Sequence, residues 1–149
     1  MFDLIKTIYL LLFLVFTSCG PNYDTKYYKT ISLDKQDTAS LKLIISERGF
    51  YGNYQIKYKD RTIDDGTIVG NIMGDTLLGK YSYLSRGNAR LVAPIAFLKV
   101  GEKLKLGTGI AGTYMGFHVY SRGSISFNDS LFQFKPIEYE EFTSIDQRR

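Results

Sequence analysis

The sequence predicts an all-β protein: a single antiparallel up-and-down (lipocalin-like) barrel or half-barrel of about eight to ten short strands. Three observations carry this expectation. Apolar and polar residues alternate with a period of two over most of the chain, as half-buried strands do. Clusters of Gly, Asn, Asp and Ser break the alternation about every eight to twelve residues, the turn spacing of sandwiches and barrels. No window of about eleven residues carries a 3.6-residue apolar period, so no amphipathic helix is expected. Hydrophobic residues make up 44% of the 149 and charged ones 23%, which excludes a disordered chain. The length allows one domain. A single Cys and a single His exclude a disulfide framework and a zinc cluster of ordinary spacing.

Residues 1–18 read as an address. Thr7 to Phe16 (TIYLLLFLVF) is an apolar run without charge. It is shorter than the roughly 20 residues that cross a bilayer. It has the length of a signal-peptide core, and small residues follow it. Residues 19–37 read as a polar, tyrosine-rich tether, with a first strand expected over Tyr27 to Leu33. Residues 38–142 are the expected barrel, and 143–149 a frayed tail.

Along the barrel, Ala39, Leu41, Leu43 and Ile45 alternate with Ser40, Lys42 and Ser46. Gly49 and Gly52 mark a turn. Tyr54, Ile56 and Tyr58 alternate with Asn53, Gln55, Lys57 and Lys59. Asp60 to Gly66 (DRTIDDG) reads as a polar loop. Ile68 and Ile72 share a face, and Gly74-Asp75 suits a type II′ hairpin. Leu77, Gly79, Tyr81 and Tyr83 face inward against Lys80 and Ser82, and Ser85 to Asn88 turns the chain. Leu91 to Val100 (LVAPIAFLKV) is apolar on both faces, which predicts a strand covered on both sides. Pro94 within it predicts an edge or a bulge. Leu104 and Leu106 form the next inward pair, and the glycine-rich 107–116 reads as a loop. Phe117 with Val119, Ile125 with Phe127, and Phe132 with Phe134 are the expected inward pairs of three further strands.

The tetrapeptide Phe16-Thr17-Ser18-Cys19 resembles a bacterial lipobox. That resemblance implies cleavage before Cys19 and acylation of its thiol, palmitate being the usual kind of chain. The only Cys in the chain stands where acylation requires one. Two or three acyl chains, at about 0.8 kcal/mol per buried CH₂, anchor a protein stably where one does not. Lys57 to Lys99 is similar to a segment of small, mostly uncharacterised envelope lipoproteins of Gram-negative bacteria. The matching residues are Asp60, Gly66, Thr67, Ile68, Gly70, Gly74, Asp75, Thr76, Leu77, Tyr81, Ser85, Gly87 and Ala96 to Lys99. This chain departs from the pattern at Asp64-Asp65 and at Arg86, and it lacks the Cys with which such proteins often end. The resemblance implies the same β fold and no enzymatic activity.

Catalytic constellations are weak. Asp60, Asp64 and Asp65 suggest calcium, but an EF-hand register on Gly66 puts Arg61, Ile63 and Ile72 at ligand positions. Gly66, Gly70 and Gly74 recur every four residues, yet the acids between them forbid a membrane dimer face. His118 has no nucleophile beside it, and Glu138, Glu140 and Glu141 read as a solvated charged stretch. The formal charge of +4 is modest and predicts no nucleic-acid partner. No catalytic residue, metal or cofactor is expected.

The expected function is a non-enzymatic, lipid-anchored binding or interaction module of the bacterial envelope, monomeric and attached through Cys19. The expected ligand is small and hydrophobic, or a glycan. Tyr81, Tyr83, Arg86 and Arg90 form the expected binding rim, since aromatic walls with a few polar groups line small-ligand pockets. An inhibitor of a secreted hydrolase, such as a lysozyme inhibitor, is the alternative. A glycan-active hydrolase ranks last. Gly20 and Pro21 replace the Asp that retains some lipoproteins at the inner membrane, so an outer-membrane anchor facing the periplasm is expected.

Overall fold

The alternating segments become strands. In the computed structural model, which describes residues 23–128 and 130–146, seven strands follow one another in antiparallel succession. They are β1 (Asp24–Ile31), β2 (Thr38–Ser46), β3 (Gly49–Lys57), β4 (Ile63–Met73), β5 (Thr76–Ser85), β6 (Ala89–Val100) and β7 (Lys103–Leu106). β8 (Ala111–Tyr114) and β9 (Phe117–Tyr120) pair only with each other. β10 (Gln133–Ile137) then enters between β7 and β1 and closes an eight-stranded barrel. A helix, α1 (Tyr139–Asp146), follows. The leader and Cys19 lie outside the described residues.

Register fixes which side chains enter the barrel. Leu41 faces Tyr54, Tyr54 faces Gly66, and Gly66 faces Tyr83 across successive strands. One row further on, Ile68 lies opposite Tyr81, and Leu77 lies opposite Phe97. Leu41, Leu43, Phe50, Tyr54, Ile68, Leu77, Tyr81, Ile95, Phe97, Leu104 and Phe134 are all buried in one cluster. An eight-stranded barrel has an interior just wide enough for side chains, and here aromatic rings fill it. Tyr54 meets Phe97 and Phe134 edge-on at 6.2 and 5.9 Å between ring centroids. Gly70 and Gly79 face each other across β4 and β5. A Cβ on either would fall 2.1 or 2.2 Å from a carbonyl oxygen of the opposite strand. Their bare backbones let the sheet curve tightly there.

Local chemistry sets the turns. Gly74 alone of the Gly74-Asp75 pair takes a positive φ, 60°, as a type II′ hairpin requires. Met115 and Gly116 both take positive φ, 48° and 82°, and join β8 to β9 in the manner of a type I′ turn. A left-handed conformation costs a non-glycine residue about 1 kcal/mol, and Asn or Asp would suit Met115's place better.

Several segments depart from the sequence reading. β1 begins at Asp24, inside the expected tether, and pairs on both sides, with β2 and β10. β4 begins at Ile63, so Asp64 and Asp65 belong to a strand and not to the 60–66 loop. The 107–116 segment contains β8. Phe117 and Val119 are not inward: their hairpin lies outside the barrel, and Phe117 is 70% exposed. Ile125 and Phe127 belong to no strand. They close over Gly107, next to Ala96 on β6. The middle of β6, Pro94 to Phe97, is thus covered outside as well as inside, whereas Leu91, Val92 and Val100, expected to be covered too, are exposed.

Pro94 sits in the middle of β6 opposite Lys80, with no bulge. Its strand is an edge there all the same, because β7 pairs only with Phe97 to Val100. A missing N–H on that side breaks no ladder bond. The expected fray at 143–149 gives way to α1 as far as Asp146. Tyr139 and Phe142 pack on Tyr27 with centroids 5.3 and 5.0 Å away, and Glu141 approaches Lys29 at 3.5 Å. Eight residues are too few for a periodicity window to register.

Candidate functional site

Among the described residues, one concavity lies at an end of this closed core and another beside it. The smaller is a mouth at the end of the barrel opposite the chain entry at Tyr23. Asp37, Tyr58, Lys59, Asp60, Thr62, Asp64 and Ser85 line about 710 Å³. β4 turns Asp64 inward and leaves Asp65 on the outer face, opposite Leu84. The sequence pair that suggests calcium is therefore split between two sides of one strand. Asp64 is buried and accepts a hydrogen bond from the Tyr58 hydroxyl at 2.8 Å. Burial, then that bond, pushes the Tyr58 hydroxyl far above its usual range. Asp60 accepts from the backbone N–H and the hydroxyl of Thr62, at 2.9 and 2.6 Å. That bonding ties the loop to itself.

The expected rim residues separate. Tyr81 and Tyr83 stack at 4.4 Å with rings 10° from parallel. Tyr81 is buried and donates to the carbonyl of Tyr54 at 3.1 Å, so its ring is part of the core. Tyr83 is half-buried at the same end of the barrel. Arg90 is exposed on β6 opposite Leu84, on the face away from Tyr83. Arg86 opens the short turn between β5 and β6. Asp64 and Tyr58 carry the polar chemistry of this end. Sequence alternation could have placed Asp64 inward, in phase with Gly66 and Ile68, had the strand been started before Gly66.

Within the core, the Tyr54 hydroxyl is buried and has no hydrogen-bond partner among the described residues. An unsatisfied buried polar group costs about 1–3 kcal/mol. Tyr54→Phe should therefore raise the thermal midpoint, while Tyr81→Phe, which removes a made bond, should lower it by about 1 kcal/mol of stability. Parallel thermal melts decide, and a drop for Tyr54→Phe would mean that its hydroxyl is satisfied.

The larger concavity lies outside the barrel. The outer faces of β3 to β6 form its floor and the β8–β9 hairpin its wall, enclosing about 1010 Å³. Tyr51, Val69, Lys80 and Pro94 form one cross-strand row on that floor. Val92, Leu78 and Asn71 extend it, Arg48 lies at one side, and Phe117, His118 and Val119 come from β9. Tyr120 holds the hairpin to its base, its hydroxyl 3.4 Å from the Gly107 carbonyl. No protein-family model, curated protein or solved structure matches the chain. The groove's own chemistry is therefore the guide. It is apolar and aromatic, with a few polar groups at its edges, and its size is at the upper end for small-ligand sites. Reading Phe117 and Val119 as core concealed it. A hairpin laid over a barrel alternates as a barrel strand does.

Proposed function

We propose that this protein is a lipid-anchored, non-enzymatic β-barrel binding module of the bacterial envelope. Its binding surface is the groove between the β3–β6 face and the β8–β9 hairpin. The observation that carries this reading is the groove itself, beside a barrel whose interior is filled by its own side chains. The lipobox-like Phe16 to Cys19 supports anchoring, with Cys19 as the acylated residue, and an outer-membrane position facing the periplasm fits Gly20 and Pro21. The groove's largely apolar lining suits a hydrophobic ligand, and Lys80 and Asn71 on its floor with Arg48 at one side suit a polar head or a glycan.

N-phenyl-1-naphthylamine, an uncharged apolar fluorophore, tests the groove. It should bind the wild type and lose binding in Val92→Glu. Leu131→Glu, at an exposed site that does not line the groove, should leave binding unchanged. Equal binding by Val92→Glu would remove the groove from consideration. Labelled palmitate tests the anchor, which Cys19→Ser should fail to incorporate. An inhibitor of a secreted hydrolase is the second reading, and the exposed hairpin is the element it would present.

A further inference from the structure

We propose that the tip of the β8–β9 hairpin is a second membrane contact, which dips into the lipid interface and sets the barrel's orientation on the bilayer. The proposal rests on the anchored reading above and adds a surface to it. Tyr114, Met115 and Phe117 at the tip are 69%, 80% and 70% exposed, and Ile110, at the base of the hairpin, is 69% exposed. No Asp, Glu, Lys or Arg occurs between Lys105 and Arg122, in a chain that is 23% charged. Tyr114 pairs with Phe117, and Gly112 with Val119, so one face of the hairpin is aromatic and aliphatic. Such a contiguous exposed apolar surface marks a partner or membrane site. Rings with a polar edge, such as Tyr, suit the headgroup boundary.

The fold does not need these residues there. Met115 holds a left-handed backbone that Asn would hold more easily. Its side chain is mostly in water, so folding gains little from the thioether.

The entry of the chain says what covers the tip. The ring of Tyr23 packs edge-on against Tyr51 at 6.4 Å, and Tyr51 and Phe117 line the same groove. Cys19 stands four residues before Tyr23, and four residues reach at most about 14 Å. A lipid on Cys19 therefore holds the groove's Tyr51 side close to the bilayer. A tether this short leaves the hairpin within reach of the same surface.

The chain has no Trp, so one introduced indole reports alone. The test uses the full-length protein in vesicles of phosphatidylethanolamine and phosphatidylglycerol. Phe117→Trp should show blue-shifted emission and severalfold stronger quenching by brominated acyl chains than Leu33→Trp. Leu33 is exposed in the turn after β1, at the far end of the barrel. Adding Met115→Asn to Phe117→Trp should weaken the quenching while circular dichroism stays unchanged. Flotation of Cys19→Ser reads the anchor separately. If Cys19 governs flotation but the indole at 117 stays water-like, the hairpin proposal falls and the anchor stands. If flotation ignores Cys19 while bromolipid still quenches at 117, the anchor reading falls and the hairpin contact stands. A blue shift without lipid that grows with protein concentration assigns the tip to a second copy of the chain and overturns the proposal. So does a shift that appears only on adding a secreted hydrolase such as lysozyme.

Discussion

Raising the pH beyond 10, where an ordinary tyrosine ionises, should unfold this protein steeply. Tyr28, Tyr54 and Tyr81 are buried. Burial pushes the Tyr28 hydroxyl up to about 12, with Glu102 and Asp24 adding to it. Burial is the largest cause for Tyr54 and Tyr81 as well, and both sit well above the usual range. Below pH 10 both folded and unfolded chains keep these protons, and stability does not depend on them. Above it the unfolded chain releases protons that the folded chain retains, so stability falls as pH rises. Each lagging tyrosine removes about 1.4 kcal/mol per pH unit. Three together remove about 4 kcal/mol per unit, against a total of about 5–15 kcal/mol for a domain. Circular dichroism and phenolate absorbance should change in one coincident step. Normal titration of every tyrosine near pH 10, with the strands intact, would show that the three rings are accessible.

Phe97→Ala should be the most damaging single truncation in the core. Phe97 is fully buried between Tyr54 and Phe134, with centroids 6.2 and 5.8 Å away. Its neighbours belong to a closed barrel and cannot collapse into the space. Loss of transfer energy plus the cavity costs about 3–5 kcal/mol. Leu77→Ala, opposite Phe97 in the register, should cost about 2–5 kcal/mol. Lys80→Ala is exposed and out of phase with Leu77, so it should stay within about 0.5 kcal/mol. Urea midpoints measure the contrast. Equal losses at positions 77 and 80 would mean that β5 is not a half-buried strand.

The barrel was legible where alternation had a single meaning. From β2 to β5 each strand buries one face, and Gly74-Asp75 names its own turn, so period and turn chemistry together give the register. Three features were not legible. Alternation at Phe117 and Val119 describes a hairpin and a barrel strand equally well, because it reports a pleated ribbon and not what lies on either side. Asp64 was hidden by its own charge. A carboxylate reads as loop until a tyrosine of the adjoining β3–β4 turn supplies the bond that lets it be buried. Tyr81 and Tyr83 read correctly as inward, but in a barrel of eight strands inward means core, so that face offers little rim for a ligand.

The closing seam also governs the order of assembly. β10 pairs Tyr27 with Ile137 on one side, joining the two extremes of the domain. On its other side Gln133 and Phe134 pair with β7, and the Phe132 carbonyl accepts from the Leu106 N–H at 3.1 Å. Loop-closure entropy for so distant a pairing must be met before its contacts contribute, which slows folding in proteins dominated by non-local pairs. Until β10 arrives, β1 is a long, tyrosine-bearing edge open to other chains. The barrel strand that comes last in chain order is therefore the one that removes the aggregation hazard, and α1 follows it to clamp Tyr27. A chain that ended before Gln133 would keep most of its hairpins and leave β1 as an open, aggregation-prone edge.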